Sequence, residues 1–221
     1  YNNIPDRQEK ETAPTMDTDA IFMKGNEEID LASLEGRDCS AGLDLSSTGD
    51  ITALVLMFPP RAEDEKYILL LFFWVPEETT PQRVKAASVR MTSREIGIPV
   101  IDEGSEIYYD FIEKFINDLA EKYHIVENAV DRWNAIQMIQ NLEGDGFTMV
   151  QFGQSFASMS GPTKNFYRLL MGRQMIHGAH PVLRWMTGNV EVDTDPAGNI
   201  KVTKGKIERE DRRYCDCNHG A

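Results

Sequence analysis

Two aspartates in this chain stand where a carboxylate is costly unless something claims it. Asp44 lies in the apolar stretch AGLDLS, and a carboxylate turned toward a protein core must be paired, hydrogen-bonded or bound to a cation. Asp131 closes a second apolar run, HIVENAVD, at the end of a strand, where the sites of open α/β sheets gather. If the two strands are neighbours, the two carboxylates converge. Hard divalent cations such as Mg²⁺ and Mn²⁺ take oxygen ligands, and two ions held ~3.5–4 Å apart activate water and stabilise the leaving oxygen of a phosphodiester. That is nuclease chemistry. Spacing alone leaves plainer roles open. A lone Asp at a strand end more often forms a turn, and Asp131, which opens DRWNA, would equally serve as the cap of a following helix.

Other polar residues have simpler readings. Asp50, in STGD, suits the turn between two strands, and Asp102, Glu103 and Glu106 suit the acidic first turn of a solvated helix. His177 and His180 in IHGAHP have no Cys or His close by in sequence, so polar loop positions fit them better than a zinc site. Cys39, Cys215 and Cys217 form no framework of bridges, which makes a reduced intracellular compartment the expectation. GxxxxGK[ST] is absent, as is GxGxxG after a strand, so no nucleotide is expected on these residues.

The elements that must position the two aspartates follow from periodicity. CSAGLDLSSTGD, ITALVLMF and KYILLLFFWVP are apolar runs separated by turn residues, and predict three consecutive antiparallel strands. A helix opens within residues 81–91. GSEIYYDFIEKFINDLAEKYH sets Ile107, Phe111, Phe115 and Leu119 four apart, with Ile116 beside them, behind a candidate cap, Ser105, and predicts an amphipathic helix. HIVENAVD reads as a strand, NAIQMIQNLEGDG as a helix closed by Gly144, FTMVQFG as a strand, and PTKNFYRLLMGRQMI as a helix opened by Pro162. The order βββαβαβα implies an α/β mixed sheet flanked by helices.

The chain has 221 residues and a formal net charge of -13, which argues against attachment to nucleic acid through overall charge. The charges are unevenly placed, however. Residues 1–40 carry ten acids against four bases, whereas residues 146–190 contain no Asp or Glu and carry Lys164, Arg168, Arg173 and Arg184. One face is expected to be cationic although the whole is acidic. The first thirty residues are polar and acidic and read as a linker, with order expected from about Ser33. The opening YNNIPDRQEK has neither an initiating Met nor a signal region, as expected of a piece of a longer protein. The longest apolar run, Tyr67 to Val75, is far below the ~18 residues of a membrane-spanning helix.

Taken together, AGLDLSSTGDITALVL, then AVDRWNAIQMIQNLEGDGFTMVQFGQSFASMSGPTKNFYRLL, then IHGAHPVLRWMTGNVEV with DPAGNIKVTKGK, resemble the C-terminal nuclease domain of the large terminase subunit of tailed bacteriophages. The likeness runs from about Leu31 to Lys206. It implies an RNase H-like fold with three antiparallel strands followed by parallel ones, over residues 33–206, after a linker or ATPase-domain remnant at 1–32. It also implies a two-metal endonuclease, using Mg²⁺ or Mn²⁺, that cuts concatemeric viral DNA during genome packaging. Asp44 and Asp131 correspond to the family's metal ligands. The implied partners are double-stranded viral DNA, the small terminase subunit and the portal protein, in the host cytoplasm and transiently at the procapsid portal rather than in the mature virion. The family's ATPase motor has no counterpart in these residues.

The last segment departs from the family. A third Asp is expected in a segment resembling RIDG, ahead of an apolar helix, but residues 207–221 read IEREDRRYCDCNHGA. Permitted codons for this tail, read from the second nucleotide, give an RIDG segment and an apolar continuation together, so a frameshift is the expected origin. Asp211 then stands one position before the family's third ligand, and weak or absent cleavage is the expectation. Lys164, Arg168, Arg173 and Arg184 are the candidates for the DNA backbone; isolated basic residues are more often solvated surface charges. Trp133, Phe152, Phe156 and Trp185 are more often core than stacking platforms. The competing reading is a prophage or packaging-complex fragment that binds partners without cutting.

Overall fold

A computed structural model describes residues 25–45, 51–76, 100–101, 105–131, 136–188 and 190–204. The strands are β1 (Asp38–Asp44), β2 (Thr52–Phe58), β3 (Tyr67–Pro76), β4 (Val100–Ile101), β5 (His124–Asp131), β6 (Met149–Phe152), β7 (Met175–Ile176), β8 (Val190–Thr194) and β9 (Ile200–Lys204). The helices are α1 (Ser105–Ala120), α2 (Ile136–Gly144), α3 (Phe156–Met171) and α4 (Pro181–Gly188), and a 3-10 turn, Leu31–Leu34, precedes β1. The main sheet runs β4-β3-β2-β1-β5-β6, with β7 beside the start of β3. β1, β2 and β3 are antiparallel neighbours, while β5 and β6 continue the sheet parallel to β1. This is the expected mixed sheet. The expected helix within residues 81–91, the Asp50 turn and the Asp102–Glu103 pair lie outside the described residues.

Strict alternation builds the core face. Cys39, Ala41 and Leu43 on β1 are buried, as are Leu54, Leu56 and Phe58 on β2, and their sequence neighbours turn the other way. Helices α1 and α2 cover this face through Ile112, Ile116, Leu119, Met138, Ile139 and Leu142. The buried row of α1 keeps Leu119 and Ile116 of the expected face and departs from it at the two phenylalanines. Phe111 is exposed and Phe115 only half-buried, because the seam runs along Ile112 and Ile116 one residue on. A one-residue step rotates a helix face by ~100°. Phe115 bridges the two, packing edge-on against Trp74 and Phe72.

The second face is covered over β2 and β3, where Leu169 and Leu170 of α3 pack with Leu69 and Met175. Helix α3 begins earlier than the proline suggested. Ser155 caps it by accepting from the Ser158 backbone N–H at 3.2 Å, so Pro162 lies inside the helix rather than at its start. The cap fixes the first turn and the Leu169–Leu170 anchor fixes the last, which outweighs the single backbone bond that a proline removes.

Part of the segment read as linker is fastened to the sheet. Gly25 accepts a 2.8 Å bond from the His177 backbone N–H, Glu27 pairs with Lys66, and Ile29 packs against the core. The β8–β9 hairpin, which periodicity did not reveal, is closed by Asp195: its carboxylate accepts from the N–H groups of Ala197 and Asn199 and from the Asn199 amide. It is tied to α3 by Ser160, which accepts from the Ile200 N–H, and by Lys164, which donates to the Gly198 carbonyl.

Candidate functional site

The two central parallel strands end together. Gly42 stands beside Ala129 and Leu43 beside Val130, so the next residue on each strand is an aspartate, Asp44 on β1 and Asp131 on β5. Neighbouring strands lie ~4.8 Å apart, which sets the separation of the two backbones at this point. Leu43 and Val130 are buried in the core face, so alternation sends both carboxylates to the opposite face. Asp44 is exposed and Asp131 half-buried. The floor beside them is made of small residues: Gly42 and Ala129 precede the acids on that same face, and a Cβ added at Gly42 would meet nothing within 4 Å among the described residues. Gln154, two residues beyond β6, donates from Nε2 to Asp131 Oδ2 at 2.7 Å.

Two carboxylates at the mouths of adjacent strands over an open floor are a donor set that suits a hard cation. Among the described residues no group of three or more His, Cys, Asp or Glu could hold a metal ion, and Asp211 lies outside them. Further oxygens would have to come from elsewhere in the chain, from water or from substrate.

Of the four basic candidates, Arg173 stands well away from the acids. Lys164 and Arg168 are exposed on α3, with Lys164 holding the hairpin and Arg168 bonded to the Asn165 amide oxygen at 3.0 Å. Arg173 sits in the turn before β7, where Gln174 accepts from the Tyr67 N–H at the opposite end of β3. Six strand steps separate Tyr67 from Phe73, the β3 position level with Asp44, a distance of ~20 Å. Arg184 is exposed on α4. Both histidines lie between β7 and α4, as a loop assignment requires. His177 is buried beside Gly25, and His180 is half-buried on the Phe73 ring, with centroids 5.0 Å apart. His180 Nδ1 accepts from the Val182 N–H at 3.2 Å, and burial pushes its pKa below the ordinary value. Gln154 is the site residue that sequence reading missed. Its signal was the FGQS step between a strand and a capped helix.

A sequence profile described as "Terminase large subunit, endonuclease domain" matches residues 15–212. The chain belongs to this family. The terminase large subunit of Enterobacteria phage HK97 is 33% identical over 170 residues, which is 75% of this chain and 33% of that protein. Protein YmfN of Escherichia coli (strain K12) is 23% identical over 192 residues, 84% of this chain and 42% of its own length. The chain therefore spans a third to two-fifths of the curated relatives it matches. The crystal structure of the HK97 bacteriophage large terminase superposes with a TM-score of 0.73 at 27% identity, over 88% of this chain and 41% of the other. The large terminase nuclease from thermophilic phage G20c with bound magnesium gives a TM-score of 0.52 at 13% identity over 90% of this chain and 93% of the other, a likeness of fold. The sheet order and flanking helices are thus those of the terminase nuclease, an RNase H-like fold. None of the described helices is long and apolar enough to cross a membrane.

Proposed function

We propose that this terminase nuclease domain is a divalent-metal-dependent DNA endonuclease in which Asp44 and Asp131 hold the metal. What carries the reading is the register of β1 and β5, which ends both strands on an aspartate at the same level and on the same face. Magnesium- and cobalt-bound structures of the G20c nuclease favour a divalent cation, and we take two ions, Mg²⁺ or Mn²⁺, as the working number. Bound ions would supply an activated water and charge stabilisation at the leaving oxygen. The chain's own residues do the rest. Asp44, exposed, meets the solvent side from which a phosphodiester arrives. Asp131, half-buried and bonded to Gln154, presents a carboxylate of fixed orientation.

DNA is held by position rather than by overall charge. The acid-free stretch 146–190 contains β6, α3, β7 and α4, and Lys164, Arg168, Arg173 and Arg184 contact the backbone along it. The spread of these residues suits a duplex laid across the domain more than a focused pocket. The substrate is concatemeric viral DNA, cut during packaging in the host cytoplasm, with the small subunit and portal as partners. We take the domain to comprise residues 33–206 together with the segment from Gly25, which is bonded to it, and the residues before Gly25 as the linker. The third carboxylate belongs to the segment at 207–221, where Asp211 is offset by one residue, so cleavage is weak.

The test is plasmid nicking by the full chain with Mn²⁺, comparing the parent with Asp44→Ala and Asp131→Ala. Nicking that is lost in both variants while their urea midpoints stay within experimental error of the parent supports the assignment. Nicking indifferent to both substitutions refutes it. No nicking by the parent at any metal concentration favours a fragment that binds partners without cutting.

A further inference from the structure

We infer that Gln154 is a positioning residue for the Asp131 carboxylate, and that its amide sets how tightly this chain holds a divalent cation. The inference rests on the reading of Asp131 as a ligand. Gln154 Nε2 donates to Asp131 Oδ2 at 2.7 Å, a bond between residues far apart in sequence. The backbone builds this contact from both sides. Phe152, the last residue of β6, is the register partner of Asp131, and Ser155 opens α3 by accepting from the Ser158 N–H at 3.2 Å. Gln154 occupies the short step between these two fixed points, which delivers its side chain to the carboxylate.

The chemistry of the donor suits the task. A carboxylate already held through one oxygen has less rotational freedom to lose when a cation binds. An amide holds it without bringing charge, whereas a Lys or Arg at this position would neutralise the carboxylate and oppose a cation. A hydrogen-bond donor behind a ligating group typically changes metal affinity by 10–100-fold when removed, and the exposure of Gln154 places this one at about tenfold.

The test measures Mn²⁺ binding to the full chain without DNA, by calorimetry or by the spin-resonance signal of free Mn²⁺, together with urea midpoints. The variants are Gln154→Ala, Gln154→Met and Asp131→Ala; methionine keeps the length and packing of glutamine and removes the donor. About tenfold weaker Mn²⁺ binding in both Gln154 variants, at an unchanged urea midpoint, is the expected result. Parent-like affinity in both overturns the inference. Loss in Gln154→Ala alone also overturns it, since packing rather than the hydrogen bond would then be responsible. So does a loss of affinity that tracks a fall in the midpoint. If Asp131→Ala binds Mn²⁺ as the parent does, or the parent binds none, the ligand reading of Asp131 fails and this inference with it. Weaker binding in Asp131→Ala with parent-like Gln154 variants sinks only the role of Gln154.

Discussion

Replacing Asn128 by leucine will stabilise the fold and leave the site untouched. Asn128 lies on β5 in register with Ala41 of β1 and Met149 of β6, on the face that α1 and α2 cover. It is 1% exposed, and among the described residues neither its amide nitrogen nor its amide oxygen has a hydrogen-bond partner. A buried amide left without partners costs about 1–3 kcal/mol relative to an apolar group. Leucine has the same heavy-atom branching as asparagine, with methyl groups in place of the amide oxygen and nitrogen, so little of that gain is lost to crowding. A net gain of about 1–2 kcal/mol raises the melting temperature of a domain this large by about 2–8 °C. Thermal and urea denaturation of the full chain read the change directly. Asn128→Asp, which buries a charge, should move both in the opposite direction. Asp131 is three residues further along and faces the other side of the sheet, so metal-dependent nicking by Asn128→Leu should match the parent. A lower melting temperature for Asn128→Leu would refute this reasoning, because it would mean that the amide is satisfied in the native state.

Gly25→Ala should destabilise the domain by about 1–3 kcal/mol, since the new Cβ would lie 2.6 Å from His177 Cδ2 and 2.7 Å from the Met175 carbonyl oxygen. An unchanged urea midpoint would show that residues 25–31 do not belong to the folded unit. Ser155→Ala should cost about 1 kcal/mol through loss of the α3 cap, measured by urea denaturation, and a neutral result would deny that the cap sets the helix start. Burial, with a smaller contribution from the Asp38 charge, pushes the Cys39 thiol up from 9.0 to about 11. The folded state therefore favours the neutral thiol, and its contribution to stability, complete below pH 9, declines as pH rises toward 11. Cys39→Ala should flatten that alkaline decline without abolishing it, because burial raises Tyr123 as well. Equal slopes for parent and variant would refute the assignment.

The convergence of Asp44 and Asp131 was legible in part: each ends an apolar strand, so the two ends meet if the strands are neighbours, but neither that adjacency nor the register can be read from either strand alone. What was not legible depended on choices that periodicity leaves open. On α1 the apolar residues cover two adjacent rows, Phe111 with Phe115 and Ile112 with Ile116, and only packing against β1 and β2 selects the second. Pro162 is a strong local signal for a helix start, yet the Ser155 cap and the Leu169–Leu170 anchor override it. The β7 strand and the β8–β9 hairpin are too short or too polar to produce a period, and their positions come from tertiary bonds to Gly25, Ser160 and Lys164. The Gln154 contact needed the register of β6, which no single strand pattern contains.

One irregularity decides whether the two aspartates meet at all. The parallel register of β1 and β5 slips between Cys39 and Ser40: Cys39 stands beside Ile125, but Ser40 stands beside Glu127, which leaves Val126 as an extra residue on β5. Val126 is 48% exposed, as expected of a residue that the ladder does not use. Without that insertion the register begun at Cys39 would set Asp44 level with Val130, and Asp131 would be one step past the pair with its side chain on the core face. The bulge therefore converts two strands that merely end near each other into two strands whose carboxylates share a face. Its effect reaches the site through the regular pairs from Ser40–Glu127 to Leu43–Val130, so the geometry of the acids is fixed by backbone placed at the far end of the strands. Changes near the bulge should consequently disturb cation binding more than their distance from the carboxylates would suggest, because a slip of one residue does not weaken the proposed site by degrees but takes one of its two proposed carboxylate ligands away.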